Sequence, residues 1–200
     1  MPAPLEFYFD FSSPYAHLLI HQIEPVAARH GRAIDWRPML LGVIFKELGG
    51  RPLVDWPLKG DYSRHDFLRS ARYGGVEFNM PETFPINTVT AARAVLWLKQ
   101  NHPERVGDFV RATSRAYFVA GRNVNDVAVV QDIATAIGLD GAAVAAGQQE
   151  PAIKDEMRAA SEAALARGVF GAPFVFVDNE PFWGNDRLAQ IERWLATGGF

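Results

Sequence analysis

The stretch LEFYFDFSSPYAHLLI, residues 5–20, changes its hydrophobic period part-way along. Leu5, Phe7 and Phe9 alternate with Glu6, Tyr8 and Asp10, the period of two that marks a half-buried strand, with Tyr8 fitting neither face cleanly. From Pro14 the apolar residues fall at helical spacing instead. Ser13 reads as the N-cap and Pro14 as the first helical residue, where a missing N–H costs nothing. The helical run continues to His30 with Pro25 inside it, which predicts a kink or a split into two helices. Ala33 to Leu41 reads as a second strand, so the chain opens β-α-β, with parallel strands and a right-handed crossover.

The middle of the chain has another character. Arg51 to Pro85 starts irregular, then carries a short helical pattern over Arg64 to Tyr73 and a proline-containing loop, EFNMPETFP, at 77–85. Helices follow at Asn87–Gln100, Glu104–Val119, Asp126–Ile137, Gly141–Ala146 and Pro151–Arg167, bounded by Asn, Asp, Gly and Pro. Strand character returns at FVFV, 174–177; a turn on DNEP and the pair FW at 182–183 complete a hairpin. Asn185 and Asp186 then open a last helix to about Ala196. The order β-α-β, helical block, β-β-α describes an α/β fold: a small mixed sheet interrupted by an all-helical insertion.

Composition removes several classes of function. Two hundred residues, 48% of them hydrophobic, suffice for one ordinary domain, or a small domain with a large insertion, around a buried core. A net charge of -3 supplies no basic face for a nucleic acid. No stretch approaches the ~18 continuous apolar residues of a membrane span, and the first residues lack the pattern of a secretory signal. The expectation is a cytoplasmic chain with no membrane partner. Zero cysteine excludes disulfides, thiolate metal sites and a thiol nucleophile of the protein's own, so any sulfur chemistry must use a ligand's sulfur.

Three segments carry chemistry. Ser13 is either a plain N-cap or a hydroxyl that donates to a thiolate or oxyanion at a strand-to-helix junction; Ser12 is the poorer candidate. In FGAPF, 170–174, Pro173 either starts a strand through a trans bond, as most X-Pro bonds do, or is cis and leaves the Ala172 main chain free to dock a peptide-like ligand. In FWGNDR, 182–187, Asn185 and Asp186 cap a helix, and the same arrangement fits a zwitterion, with N–H groups on its carboxylate and Asp186 on its ammonium. His17 and His21 have the spacing of a metal pair but no accompanying motif, so no metal is expected. Lys46 and Lys59 read as solvated lysines, and Trp56, Phe84 and Trp183 as core or pocket aromatics. Neither GxSxG nor a Gly-rich phosphate loop occurs.

FYFDFSSPYAHL at 7–18, RPMLLGVIFKELGGRP at 37–52, LKGDY at 58–62, FP at 84–85 and GVFGAPFVFVDNEPFWGNDRL at 168–188 resemble the 2-hydroxychromene-2-carboxylate isomerases, themselves similar to kappa-class glutathione transferases. The combination of D-x-x-SPY with FGxPxF and WGNDRL is specific, and the resemblance spans essentially the whole chain. It implies a thioredoxin-like fold, with residues 1–45 and 168–200 as the thioredoxin-like part and 46–167 as the helical insertion. It also implies glutathione as cofactor, a small aromatic substrate and a homodimer.

Residue by residue, the resemblance makes Ser13 the active serine, in the place where redox relatives carry a reactive cysteine. Ala172 matches the residue before a cis-proline that binds the cysteinyl main chain. Trp183, Gly184, Asn185 and Asp186 match the segment holding the γ-glutamyl end. Lys59 and Lys46 match lysines near the glycyl end and the substrate, and Phe84 stands where an isomerase relative has a tyrosine near the substrate. Gly50 departs from the kappa-class asparagine. The implied reaction interconverts 2-hydroxychromene-2-carboxylate and trans-o-hydroxybenzylidenepyruvate. A kappa-like transferase and a non-catalytic thioredoxin-like binding module are the alternatives.

Overall fold

A mixed sheet of order β2-β1-β3-β4 organises the computed structural model, which describes residues 2–200: β2 is Ile34–Pro38, β1 Leu5–Phe9, β3 Phe174–Val177 and β4 Glu180–Trp183. β1 pairs parallel with β2, Leu5 opposite Ile34 and Phe9 opposite Pro38, and antiparallel with β3, Phe7 opposite Val175. β3 and β4 form an antiparallel hairpin. Its two turn residues, Asp178 and Asn179, have φ of 50° and 77°, the positive values a tight hairpin turn needs and Asp and Asn tolerate best after glycine.

Leu5, Phe7 and Phe9 are fully buried on one face of β1. Tyr8 on the other face is buried too, packed with Met39, Ile44, Ala164, Val169, Phe174 and Phe176. β1 is therefore covered on both sides rather than one, because helices of the inserted block close over the second face.

The helical run after β1 does split, into α1 (Pro14–Ile20) and α2 (Ile23–Arg29). The break falls at His21–Gln22, which leaves Pro25 in the first turn of α2, where a missing N–H and a fixed φ are accommodated. β2 ends at Pro38, earlier than its sequence pattern suggests, and the residues beyond form a helix, α3 (Leu41–Leu48). The Asp10 carboxylate takes the Leu41 N–H at 2.7 Å, and Gly49 at φ 69° closes the helix in the left-handed conformation.

A 3-10 turn at Leu53–Asp55 leads to α4 (Lys59–Gly74), which starts before the expected Arg64. α5 (Val89–Asn101), α6 (Val106–Phe118), α7 (Val127–Ala136), α8 (Gly141–Gly147) and α9 (Pro151–Ala166) complete the helical block. Asp126 and Asp140 cap α7 and α8 by accepting from Ala128 N and Ala143 N. After β4, Asn185–Arg187 form a 3-10 turn, and α10 (Leu188–Thr197) begins only after it. Core residues of the sheet such as Phe7 and Val175 belong to the same apolar cluster as Val95 of α5 and Phe109 of α6, so the core is continuous between sheet and insertion. Among the described residues no helix is long and apolar enough to cross a membrane.

Candidate active site

Ser13 ends the loop after β1 with extended φ and ψ of -89° and 116°, and its side chain is buried. Its Oγ accepts the Ala16 N–H at 3.2 Å and donates to the carbonyl oxygen of Ala172 at 3.0 Å. Ser13 therefore caps α1, and its O–H is directed to the Ala172 carbonyl. The Ala172–Pro173 bond is cis, and Gly184 N donates to the Pro173 carbonyl at 3.0 Å. These bonds bring the start of α1, the loop before β3 and the end of β4 into one wall.

That wall belongs to a cleft of about 580 Å³ between the sheet part and the α3–α4 region. Ser13, Phe84, Ala172, Trp183, Gly184, Asn185 and Asp186 all line it. Arg187 pairs with the Asp186 carboxylate at 2.8 Å. Lys46 and Lys59 are not on the wall: Lys46 is exposed on α3 beside the lining residue Phe45, and the Lys59 ammonium sits 5.3 Å from the Trp56 ring centre. Arg51 stacks on the same ring at 4.0 Å and does line the cleft, so the cations of the wall are Arg51 and Arg187. Gly50 is exposed and off the wall; a Cβ there would stand 3.1 Å from the Phe45 ring.

Residues 4–196 match the DSBA-like thioredoxin domain. The chain is 31% identical over 200 residues to a 2-hydroxychromene-2-carboxylate isomerase of Sphingobium xenophagum, covering 98% of this chain and 99% of the relative. The chain belongs to this isomerase family of DSBA-like thioredoxin domains. It is similar, at 23% identity over 96% of its length and 91% of the relative's, to glutathione S-transferase kappa 2 of Caenorhabditis elegans. A solved 2-hydroxychromene-2-carboxylate isomerase structure shares the fold at a TM-score of 0.87, with 24% identity over 96% of this chain and 94% of that one.

For this member of the isomerase family, α4 adds a polar wall that sequence reasoning missed. Tyr62, Asp66 and Ser70 lie four residues apart, hence on one helix face, and line the cleft with Tyr15. The Tyr15 hydroxyl donates to Asp66 Oδ2 at 2.6 Å and Ser70 to the same oxygen at 3.3 Å. Arg69 donates to Asp66 Oδ1 and, at 2.8 Å, to the Tyr62 hydroxyl. Burial, reinforced by the Asp66 carboxylate, pushes the Tyr15 phenol far above its ordinary pKa. Burial also works against the Asp66 carboxylate, but hydrogen bonds from Tyr15 and Arg69 outweigh it, so the carboxyl is held below its usual range. The Tyr62/Asp66/Ser70 spacing was the available signal; contact with Tyr15 51 positions away was not legible.

His17 is buried, with Nδ1 2.7 Å from Ser114 Oγ and Nε2 2.9 Å from the Glu77 carbonyl. A carbonyl only accepts, so Nε2 carries the proton and Nδ1 accepts from Ser114. Both ring nitrogens are thereby committed within the fold. Burial lowers the His17 pKa to about 4; burial, and then the neighbouring His17, lower that of His21 to about 4 as well. Among the described residues, no group of three or more His, Cys, Asp or Glu could hold a metal ion.

Proposed function

We propose that the protein is a glutathione-dependent isomerase that interconverts 2-hydroxychromene-2-carboxylate and trans-o-hydroxybenzylidenepyruvate. The observation carrying this reading is the Ser13 hydroxyl at a helix start, 3.0 Å from the Ala172 carbonyl, in a chain without cysteine. Gly171, Ala172 and Gly184 line the cleft with little or no side chain, which leaves main chain available to a peptide-like ligand there.

The hemiketal ring opens to the free ring hydroxyl and ketone. Bound glutathione would supply a thiolate able to add to the conjugated carbon, turning the double bond into a single bond that rotates, and then to leave, restoring the double bond in the other geometry. Ser13 turns its O–H from Ala172 toward the sulfur and, with the positive end of α1, favours the ionised thiol. Ala172 docks the cysteinyl main chain. Gly184 and Asn185 hold the γ-glutamyl carboxylate, Asp186 and Trp183 bind its ammonium end, and Lys59 reaches the glycyl carboxylate. Tyr15 and Phe84, both half-buried, pack on the buried Phe67 with ring centres 5.0 Å and 6.3 Å from its own, and border the substrate's ring from the cleft wall. Arg51, with Lys46 beyond the wall, attracts the substrate carboxylate.

A reduced thiol cofactor fits a reducing compartment, the cytoplasm. A homodimer belongs to the same reading, with exposed Leu48, Leu58, Leu68 and Tyr73 as apolar surface for the second copy. Likeness to the kappa transferase gives a second reading, conjugation of an electrophile. Product analysis separates the two. Incubating the chromene carboxylate with enzyme should give the benzylidenepyruvate at a rate that depends on glutathione, with the total glutathione thiol unchanged. Accumulation of a glutathione conjugate would favour the transferase, and turnover independent of glutathione would exclude both readings.

A further inference from the structure

We propose that Asp66 reads the ring hydroxyl of the aromatic substrate, accepting its hydrogen bond on the α4 side of the cleft; the inference rests on the proposed function. Asp66 and Asp186 are the carboxylates on the wall, and Asp186 lies just after β4, beside Trp183, Gly184 and Asn185, and is paired with Arg187. A carboxylate offers about four acceptor positions. Tyr15 and Ser70 occupy Oδ2 and Arg69 takes one position on Oδ1, which leaves Oδ1 able to accept once more. The side chain keeps 16% of its surface exposed, and the residue borders the cavity.

The neighbours fit the role. Phe67, next to Asp66 on α4, is buried and packs against both Tyr15 and Phe84, so an aromatic ring resting on the cleft side of Tyr15 and Phe84 has the Asp66 carboxylate on the same wall. Arg69 and Tyr15 fix the carboxylate's rotamer and keep it ionised, which makes it an acceptor rather than a donor. A ligand whose ring bears a hydroxyl satisfies the open position. One without it leaves a buried acceptor position dry, and discrimination of this kind is large because an unmet polar group is costly.

The test measures dissociation constants of trans-o-hydroxybenzylidenepyruvate and of trans-benzylidenepyruvate, which lacks the ring hydroxyl, in glutathione-free buffer. Wild type and Asp66→Asn are compared, with glutathione affinity as a separate check that the variant keeps its cleft. Wild type should favour the hydroxylated ligand about 10- to 100-fold, and Asp66→Asn, whose amide oxygen still accepts but without the charge, should lower that ratio at least about threefold while binding the deoxy ligand as wild type does. A wild-type ratio near one, or an undiminished ratio in the variant, overturns the inference and leaves the proposed function standing. Failure of both ligands to bind overturns the aromatic-substrate reading and this inference with it. Should Asp66→Asn not fold, Asp66→Glu takes its place and must lower the ratio at least about threefold.

Discussion

The Ser13 hydroxyl donates to the Ala172 carbonyl at 3.0 Å while accepting the Ala16 N–H, so one side chain joins the start of α1 to a loop 159 positions away. The bond holds the hydroxyl at the cleft wall with its hydrogen on the Ala172 carbonyl, the place the proposed thiolate would take. Ser13→Ala removes the cap and the donor together. Stability should fall by about 1 kcal/mol, as for other lost caps, while kcat/KM with glutathione falls about 100-fold or more. Denaturant unfolding and steady-state kinetics on the same preparation check both parts; equal activity of the variant would remove Ser13 from the chemistry.

Gly171 separates binding from stability. An added Cβ would stand 2.7 Å from Nε1 of Trp183, a half-exposed side chain packed edge-on against Phe170, so the clash falls on a side chain rather than on the backbone. Gly171→Ala should therefore weaken glutathione binding several-fold, with less than about 1 kcal/mol lost from the fold. Calorimetric titration together with a thermal melt reads both quantities.

Asp10 has the reverse character. Its buried carboxylate accepts from Ser12 N at 2.8 Å, Leu41 N at 2.7 Å and Thr88 Oγ1 at 2.7 Å, joining the end of β1 to the starts of α3 and α5. Asp10→Ala orphans three buried or half-buried donors and should cost about 3 kcal/mol or more. Urea unfolding would show it as a lower midpoint at an unchanged slope.

His17 and His21 give the fold an acid sensitivity. Both are held near pKa 4 in the folded state by burial, against an ordinary value of 6.5. Between those values the unfolded chain binds more protons than the folded one, so stability is full above pH 6.5 and declines as pH falls toward 4. His17 alone should contribute on the order of 3 kcal/mol to that decline. Stability of His17→Gln against pH, measured with urea, should show a shallower slope over that window than wild type.

Local chemistry made much of the fold legible. The change of period at Ser13-Pro14, the break near Pro25, the Asp caps of α7 and α8 and the Asp-Asn hairpin turn are written in residues a few positions apart. α3 escaped because the strand pattern of Ala33–Leu41 runs up to its first residue; what holds the helix start is Asp10, distant in sequence. α4 starts at Lys59 because Leu58 turns the chain at φ 64° and Gly60 lies against the Val54 backbone, neither of which periodicity records. In the cleft, the segments around Ser13, Ala172 and Trp183–Asp186 announce themselves through helix starts and glycines. Arg51 and Asp66 do not: Arg51 is placed by stacking on Trp56, and Asp66 by the packing of α4 over α1.

In the proposed reaction, Ser13 and the start of α1 lower the pKa of a bound thiol. Titrating the glutathione complex with pH and following thiolate absorbance in the near ultraviolet, for wild type and Ser13→Ala, measures this directly. The account predicts a bound thiol pKa well below that of free glutathione in wild type, rising by at least about one unit in the variant. A bound thiol that titrates like the free one, or a lowered value unchanged by Ser13→Ala, would contradict it.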